Sequence, residues 1–225
     1  MTTIKSHSSP SGHRSRKDEL RDILLVRNTV SLIHWAHHAR NPLRTLHMLL
    51  WDHEALLRWR AIEALGMLSG ELFAHDDNTL REFIRKLFWS MNDESGSLCP
   101  HAPEAIAELL HRSPVLRHEF LEHWLSFLDE EPFEIGMRSG IVRLCSGALT
   151  HTERELIAAT CPTLVQSTYV ADPAVRGTAL CALINLGVAI PDSLKQRLSG
   201  DTEEFDMYDF AQGKLVHRTI AACIP

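Results

Sequence analysis

Fourteen histidines among 225 residues make metal ligation the first chemistry to test. His34 and His38 stand four apart, so a helix through them would set both imidazoles on one face, as zinc ligands are set. In the run from His118-Glu119 to Glu122-His123, His118 shares a helical face with Glu122, and Glu119 with His123. Neither run is H-E-x-x-H, and neither has a third ligand nearby in sequence. The reading is surface histidines on amphipathic helices, with no metal and no other cofactor expected. Nucleophilic catalysis finds no footing either: the chain lacks G-x-S-x-G and any glycine-rich phosphate loop. Cys99, Cys145, Cys161, Cys181 and Cys223 form no C-x-x-C pair, and none stands in an evident basic setting, so all five are expected as reduced thiols.

One stretch gathers polar chemistry without a helical pattern. From Trp89 to Glu104 it carries Asn92, Asp93, Glu94, Ser95 and His101, an aromatic ring beside carboxylates, an amide, a hydroxyl and an imidazole. Long connections in a compact protein often carry function, although Asp93 and Ser95 would equally serve as helix caps. Aligning the alanine-rich helices on either side puts Glu63, Glu104 and Arg143 at corresponding positions. The expected binding set is therefore Glu63, Trp89, Asn92, Asp93, Glu94, Ser95, His101, Glu104 and Arg143, lining one polar groove suited to a cationic group. Pairing of the three charged residues between neighbouring helices is the competing structural role. Trp35, Trp51, Trp59 and Trp124 sit at helical spacing and read as packing residues. Trp59, between Arg58 and Arg60, is the one with the composition of a binding hot spot.

The elements that must position these groups are helical. Hydrophobic residues make up 44% and charged residues 23%, ordinary for a protein with a real core. No apolar run approaches the roughly 18–20 residues of a membrane span, and no secretory signal is visible, which places the protein in the cytoplasm by default. Lys5, Arg14, Arg16 and Lys17 are the only charges before Asp18; removing these four from the formal −6 leaves −10 on the remainder. A body that acidic argues against nucleic acid as a partner. Residues 1–17, rich in serine with Pro10 and Gly12 among them, read as a disordered basic tail.

From Asp18 onward the apolar spacing is helical. Leu20, Ile23, Leu24, Arg27, Val30 and Ile33 or His34 describe a single one-sided helix, with Asp18 as its cap and Asn41-Pro42 as its end. Asp52, Asp93, Asp129 and Asp172 then recur at intervals of 41, 36 and 43, each between two helical stretches. Two units agree in detail: Asp52, Arg58, Ala61, Ala64 and Leu65 in the first, Asp172, Val175, Arg176, Ala179, Ala182 and Leu183 in the second. A helix pair about every 40 residues is the mark of a HEAT or armadillo array, because one hairpin cannot bury its apolar face alone. Small residues at Ala61, Ala64, Gly140, Ala179 and Ala182 would let neighbouring helices close up, and each turn aspartate could cap the helix after it. Past residue 200, Phe205, Met207, Tyr208 and Phe210 precede Gln212-Gly213 and a β-branched run, which admits either a short hairpin or a final capping helix.

This aspartate, arginine and alanine rhythm resembles the HEAT-repeat proteins, particularly the bacterial PBS-lyase HEAT-like repeats. The resemblance covers about four-fifths of the chain by period and two units by motif. It implies an all-α, right-handed α-α superhelix of about five helix pairs over 18–200, followed by a cap over 201–225, with second helices lining a concave face. Two enzymes of similar architecture set alternatives. The HEAT-repeat deoxyhypusine hydroxylases hold two irons with four His-Glu dyads, where this chain has His53-Glu54 and His118-Glu119 alone. The HEAT-like DNA glycosylases rely on a tryptophan and an aspartate, which Trp89 and Asp93 resemble, yet they should be basic to hold a duplex. Bilin lyases share the repeat type, with nothing specific in this chain for a chromophore. The expected function is a non-catalytic adaptor that holds a protein or peptide partner on its concave face, with no membrane contact; a DNA glycosylase or a metal-dependent enzyme is the alternative.

Overall fold

Residues 16–73, 76–92, 96 and 98–225 are described by the computed structural model. These residues form a mostly helical protein with one small two-stranded sheet. The helices are α1 (Arg16–Leu25), α2 (Thr29–His38), α3 (Pro42–Leu49), α4 (Ala55–Glu71), α5 (Asp77–Trp89) and α6 (Ala102–Arg112). They continue as α7 (Pro114–Leu125), α8 (Glu134–Cys145), α9 (His151–Ala158), α10 (Cys161–Ser167), α11 (Pro173–Leu186) and α12 (Asp192–Leu198). Strands β1 (Glu204–Asp209) and β2 (Lys214–Thr219) follow, then a 3-10 turn at Ala221–Cys223. Of the expected tail, residues 1–15 lie outside the described residues, while Arg16 and Lys17 already belong to α1.

Capping chemistry explains where two expected helices break. The single helix read from Asp18 to Asn41 is divided because Arg27 adopts φ 54° and the Asn28 side chain accepts from Ser31 N at 2.9 Å, starting α2 afresh. The helix read over 152–168 is split into α9 and α10, with Pro162 in the first turn of α10, where its missing N–H costs nothing. Of the turn aspartates, Asp172 caps α11 by accepting from Ala174 N at 2.7 Å. Asp52 instead accepts from Glu54 N, just ahead of α4, and Asp129 meets Arg138 at 3.6 Å rather than capping α8. Asp93 lies outside the described residues.

The arginines of the repeat motif hold the turns that precede their helices. Arg58 donates to Asp52 O at 2.6 Å, and Arg176 to Ala171 O at the same distance. Arg138 does the same for Leu128 O at 3.1 Å. Arg176 also bridges forward to Asp201 at 3.0 Å, and Arg21 pairs with Asp52. Each such guanidinium satisfies carbonyls left open at a helix end, so the motif reads in the structure as turn chemistry.

Packing runs through one series: α4 against α6, α6 against α8, and α8 against α11. Helix α3 packs on α4, while α5 and α7 pack on α6 and the short α10 on α11. The small residues expected at close approaches, Ala61, Ala64, Gly140, Ala179 and Ala182, are all buried. Trp124 is fully buried against Gly140 and donates its indole N–H to Pro103 O at 3.1 Å. A second, smaller core joins α11 and α12 to the sheet through Leu180, Leu194, Leu198, Phe205 and Ile220. No helix among the described residues is long and apolar enough to cross a membrane.

Ala64 and Ala182 are 1% and 0% exposed. Ala64→Arg and Ala182→Arg should each lower stability by about 3 kcal/mol, since a long cation there both overpacks and desolvates. Thermal denaturation would read this as a drop of about 10 °C for a chain of this size.

Candidate functional site

The sheet organises polar chemistry along the helix series. Strands β1 and β2 pair antiparallel with Met207 opposite Val216, so the segment takes the hairpin of the two expected alternatives. Its turn is built locally: Asp209 Oδ1 accepts from Ala211 N at 2.8 Å and Gln212 N at 2.9 Å. Gly213 supplies φ 64°, and a Cβ there would lie 2.5 Å from the Arg27 guanidinium carbon. Phe205 fastens the other end of the hairpin on α11, its ring filling the space over Gly177.

From α11 the hairpin reaches back across the helix series to α4. Tyr208 stacks on Trp59 with centroids 5.3 Å apart and an interplanar angle of 2°, and Phe210 stands edge-on to both rings. The Tyr208 hydroxyl donates to Glu63 Oε2 at 2.8 Å. Arg27 donates to Glu63 Oε1 at 2.6 Å and, from the same guanidinium, to Phe210 O at 2.6 Å and Ala211 O at 3.0 Å. Glu63 is therefore a buried carboxylate with both oxygens satisfied, one from the α1–α2 linker and one from the hairpin. Burial, reinforced by the neighbouring Glu63 carboxylate, pushes the Tyr208 phenol well above its usual range, so the hydroxyl stays a donor. The hydrogen bond to Glu63 raises Arg27 in turn.

A second buried carboxylate lies in the next helix. Glu108 of α6 is completely buried and is met by Arg143 of α8 at 3.2 Å and by Arg112 at 2.9 Å. The Arg143 guanidinium also lies 4.0 Å above the Phe210 ring, which ties this pair to the hairpin. Glu104, one turn earlier in α6, is buried beside His101 Nδ1 at 3.2 Å and has one oxygen without a protein partner. His111 is held to about 4 by burial and by Arg143, Arg112 and Arg117.

Between the hairpin and helices α8 and α11 is an open cleft of about 500 Å³. Arg143, Ser146, Cys181 and Asn185 form its floor, and Trp59, Met207, Phe210, Val216 and Arg218 its walls. The lining combines apolar surface with two guanidinium groups and the Asp209 carboxylate.

The residues singled out from sequence are distributed over three places. Glu63 and Arg143 flank the hairpin but are each committed to internal partners. The expected row of Glu63, Glu104 and Arg143 is corrected by one helical turn: Arg143 meets Glu108, because α6 begins only at Ala102 and leaves Glu104 in its first turn. His101 and Glu104 pair with each other at the start of α6. Trp89, 59% exposed, and Asn92 border a different groove of about 550 Å³ with Arg85, His123 and Phe127. Asp93, Glu94 and Ser95 lie outside the described residues. Of the two His-rich runs, the second contributes His123 to the Trp89 groove. The His34 and His38 rings lie 4.5 Å apart, tilted by 42°, Glu119 pairs with Arg81, and among the described residues no three His, Cys, Asp or Glu side chains converge as a metal site.

Arg27, Glu108, Tyr208 and Phe210 are the residues that sequence reasoning did not select. The aromatic cluster ahead of Gln212-Gly213 and the Arg-flanked Trp59 were the available signals for the hairpin contact. Arg27 offered none, since its partners lie 36 and 183 residues away.

Comparison with known proteins adds one relative and no family. A protein of Archaeoglobus fulgidus described only as uncharacterized is 36% identical over 102 residues, which is 42% of this chain and 52% of that protein. The chain thus spans about half the length of the relative it matches. No protein-family model matches the chain, and no solved structure matches it.

Two measurements follow from these buried groups. Tyr208→Phe should cost about 1.5 kcal/mol, the usual worth of a hydrogen bond to a charged acceptor. Because the folded phenol titrates above the unfolded one, wild-type stability should fall as pH rises past about 10, and the variant should lose part of that slope. His111 works in the opposite direction: its folded value lies below the unfolded one, so its contribution is present above pH ~6.5 and lost as pH falls toward about 4. Denaturant melts of His111→Asn across that window should show a shallower acid loss than wild type.

Proposed function

We propose that the chain is a HEAT-like α-solenoid whose second helices line a concave face, and that it works as a non-catalytic binding module for a protein or peptide. The series α4, α6, α8, α11 and the repeated arginine-to-turn contacts support the architectural part of this reading. The observation that carries the functional part is the cleft of about 500 Å³ left open where the hairpin crosses that face. Elsewhere on the face the hairpin already covers the helices, with Trp59 and Glu63 engaged by Tyr208.

The cleft favours an extended segment over a compact ligand. Its walls offer Met207, Val216 and Phe210 for apolar side chains, while Asn185, Ser146 and Ser139 offer donors and acceptors for a backbone. Arg143 is neutralised by Glu108, but Arg218 is exposed at the rim, so an acidic or neutral segment suits the cleft better than a basic one. The loop carboxylates expected to attract a cation, Asp93 and Glu94, lie outside the described residues.

Ser146 and Asn185 are exposed on the cleft floor, so Ser146→Arg with Asn185→Arg fills the cleft without touching the core. Immobilised wild-type protein should retain a stoichiometric partner from a lysate of the source cells. The double variant should retain at least about tenfold less, equivalent to about 1.4 kcal/mol, with an unchanged melting curve. Full retention by the folded variant would move the binding surface elsewhere.

A further inference from the structure

Helices α3 and α5 pack on different members of the helix series, α3 on α4 and α5 on α6. Between them lies an open groove of about 660 Å³. Leu43 and Phe83, both largely buried, give it an apolar floor, and the His47 ring stands edge-on to Phe83 at 5.8 Å.

The polar atoms around that floor divide into those already engaged and those still open. Asn41 Oδ1 accepts from Arg44 N, and Asn78 Oδ1 from Arg81 Nη1, each at 3.0 Å, so what remains of either amide is its NH2 group. Thr79 donates to Asp76 from its N at 3.1 Å and from Oγ1 at 2.7 Å. Glu82, the carboxylate of the lining, accepts from Arg85 at 2.6 Å. Arg44 and Lys86, one from each helix, are exposed on the groove and have no acidic partner among the described residues. His47 Nε2 is buried and has no hydrogen-bond partner among the described residues. Burial and the nearby Lys86 lower His47, so near pH 7 its ring is neutral and can carry a proton on Nε2.

The open groups are therefore donors: two cations, two amide NH2 groups and one imidazole. Two cations with no free acid beside them, in a chain of formal charge −6, mark a place for an anion. Their charge matches a dianion, and the number of donors suits the three terminal oxygens of a phosphoryl group better than the two of a carboxylate. The groove is larger than a bare phosphate, and its Leu43–Phe83 floor can take an organic group. The first-turn N–H groups of Arg44 and Thr79 are already capped by Asn41 and Asp76, so recognition falls to side chains.

We propose that the groove between α3 and α5 binds a phosphate monoester, the phosphoryl group held by Arg44, Lys86 and the Asn41 and Asn78 amides, and the organic part lying along Leu43 and Phe83. The ester is either a free small molecule or a phosphorylated side chain of another protein; the phosphoryl chemistry is the same. This site is separate from the cleft beside α8 and α11, and neither needs the other to be filled.

Calorimetric titration of the full chain at low ionic strength tests it with phenyl phosphate, a phosphoserine peptide, the same peptide unphosphorylated, and inorganic phosphate. At least one ester should bind at one site per chain and more tightly than inorganic phosphate. Phenyl phosphate in that place assigns a free ester, the phosphopeptide a phosphorylated side chain, and either result supports the site. Arg44→Gln and Lys86→Gln should each weaken that ester at least about tenfold, and together abolish its binding. Arg154→Gln, the same loss of charge on exposed α9 surface, should leave affinity unchanged. Arg44 and Lys86 are both exposed, and coincident melting curves check that the variants fold. The proposal is overturned if folded wild-type protein binds neither ester, if inorganic phosphate or the unphosphorylated peptide binds as tightly as the esters, or if the folded double variant binds like Arg154→Gln.

Discussion

The structure depends on how one buried carboxylate is satisfied. Glu63 sits in the middle of α4, where water does not reach it, and an ionised carboxylate there is tolerable only with donors on both oxygens. Neither donor comes from its own helix. Arg27 arrives from the linker between α1 and α2, and Tyr208 from a hairpin 145 residues further along the chain. Removing Arg27 leaves the buried charge without its counter-ion, and removing Tyr208 leaves one oxygen without a donor, which is why this small polar group can fix the position of two otherwise independent segments. Arg27 carries a cost of its own, a left-handed backbone that non-glycine residues seldom adopt. Its guanidinium offsets that cost through three acceptors, Glu63 and the carbonyls of Phe210 and Ala211.

The same logic extends along the helix series. Glu63 in α4 and Glu108 in α6 occupy successive places in the series, and each is met by arginine. Apolar contacts supply the bulk of the stability, since each buried Leu or Ile contributes about 2 kcal/mol. They are non-directional, however, and would let one helix slide against the next. Carboxylate–guanidinium pairs have fixed geometry, so they select one register among packings of similar apolar area. Arg143 joins this function to the hairpin: it serves Glu108 with its N–H groups and the Phe210 ring with its face. A chain with a formal charge of −6 thus keeps several of its carboxylates inside, paired.

Much of the helical organisation was legible because its determinants are local. Asn28, Asn41, Ser113 and Asp172 each cap the helix that follows, and prolines stand in the first turns of α3, α6, α7, α10 and α11. The alanine rhythm of α4 and α11 marked the crossings correctly, because a small side chain is needed wherever two backbones close up. The break at Arg27 was hidden, since a left-handed arginine leaves no compositional trace when its reason lies in a distant hairpin. The charged row was misregistered by one turn for a related cause. Alignment by motif assumes equal helix starts, and the connection before α6 delays that helix to Ala102. Trp59 was legible as an unusual tryptophan, but its partner was not, because β1 could be assigned to α4 only through tertiary contact.

The hairpin also changes what the face of the helix series can offer. From the sequence alone, one polar groove was expected there. With the hairpin, the aromatic and carboxylate positions near α4 are filled by the chain itself, and the open part shrinks to the stretch beside α8 and α11. A partner confined to the cleft can bind with the hairpin in place, and then Met207, Phe210 and Arg218 belong to the binding surface. A partner that needs Trp59 or Glu63 must first displace Tyr208 and expose the Arg27 pair, and its apparent affinity is reduced by the fraction of molecules in which that has happened. With several kcal/mol of stacking and charge-assisted hydrogen bonding to overcome, that fraction is small. The geometry therefore favours recognition built on the docked hairpin over recognition that competes with it.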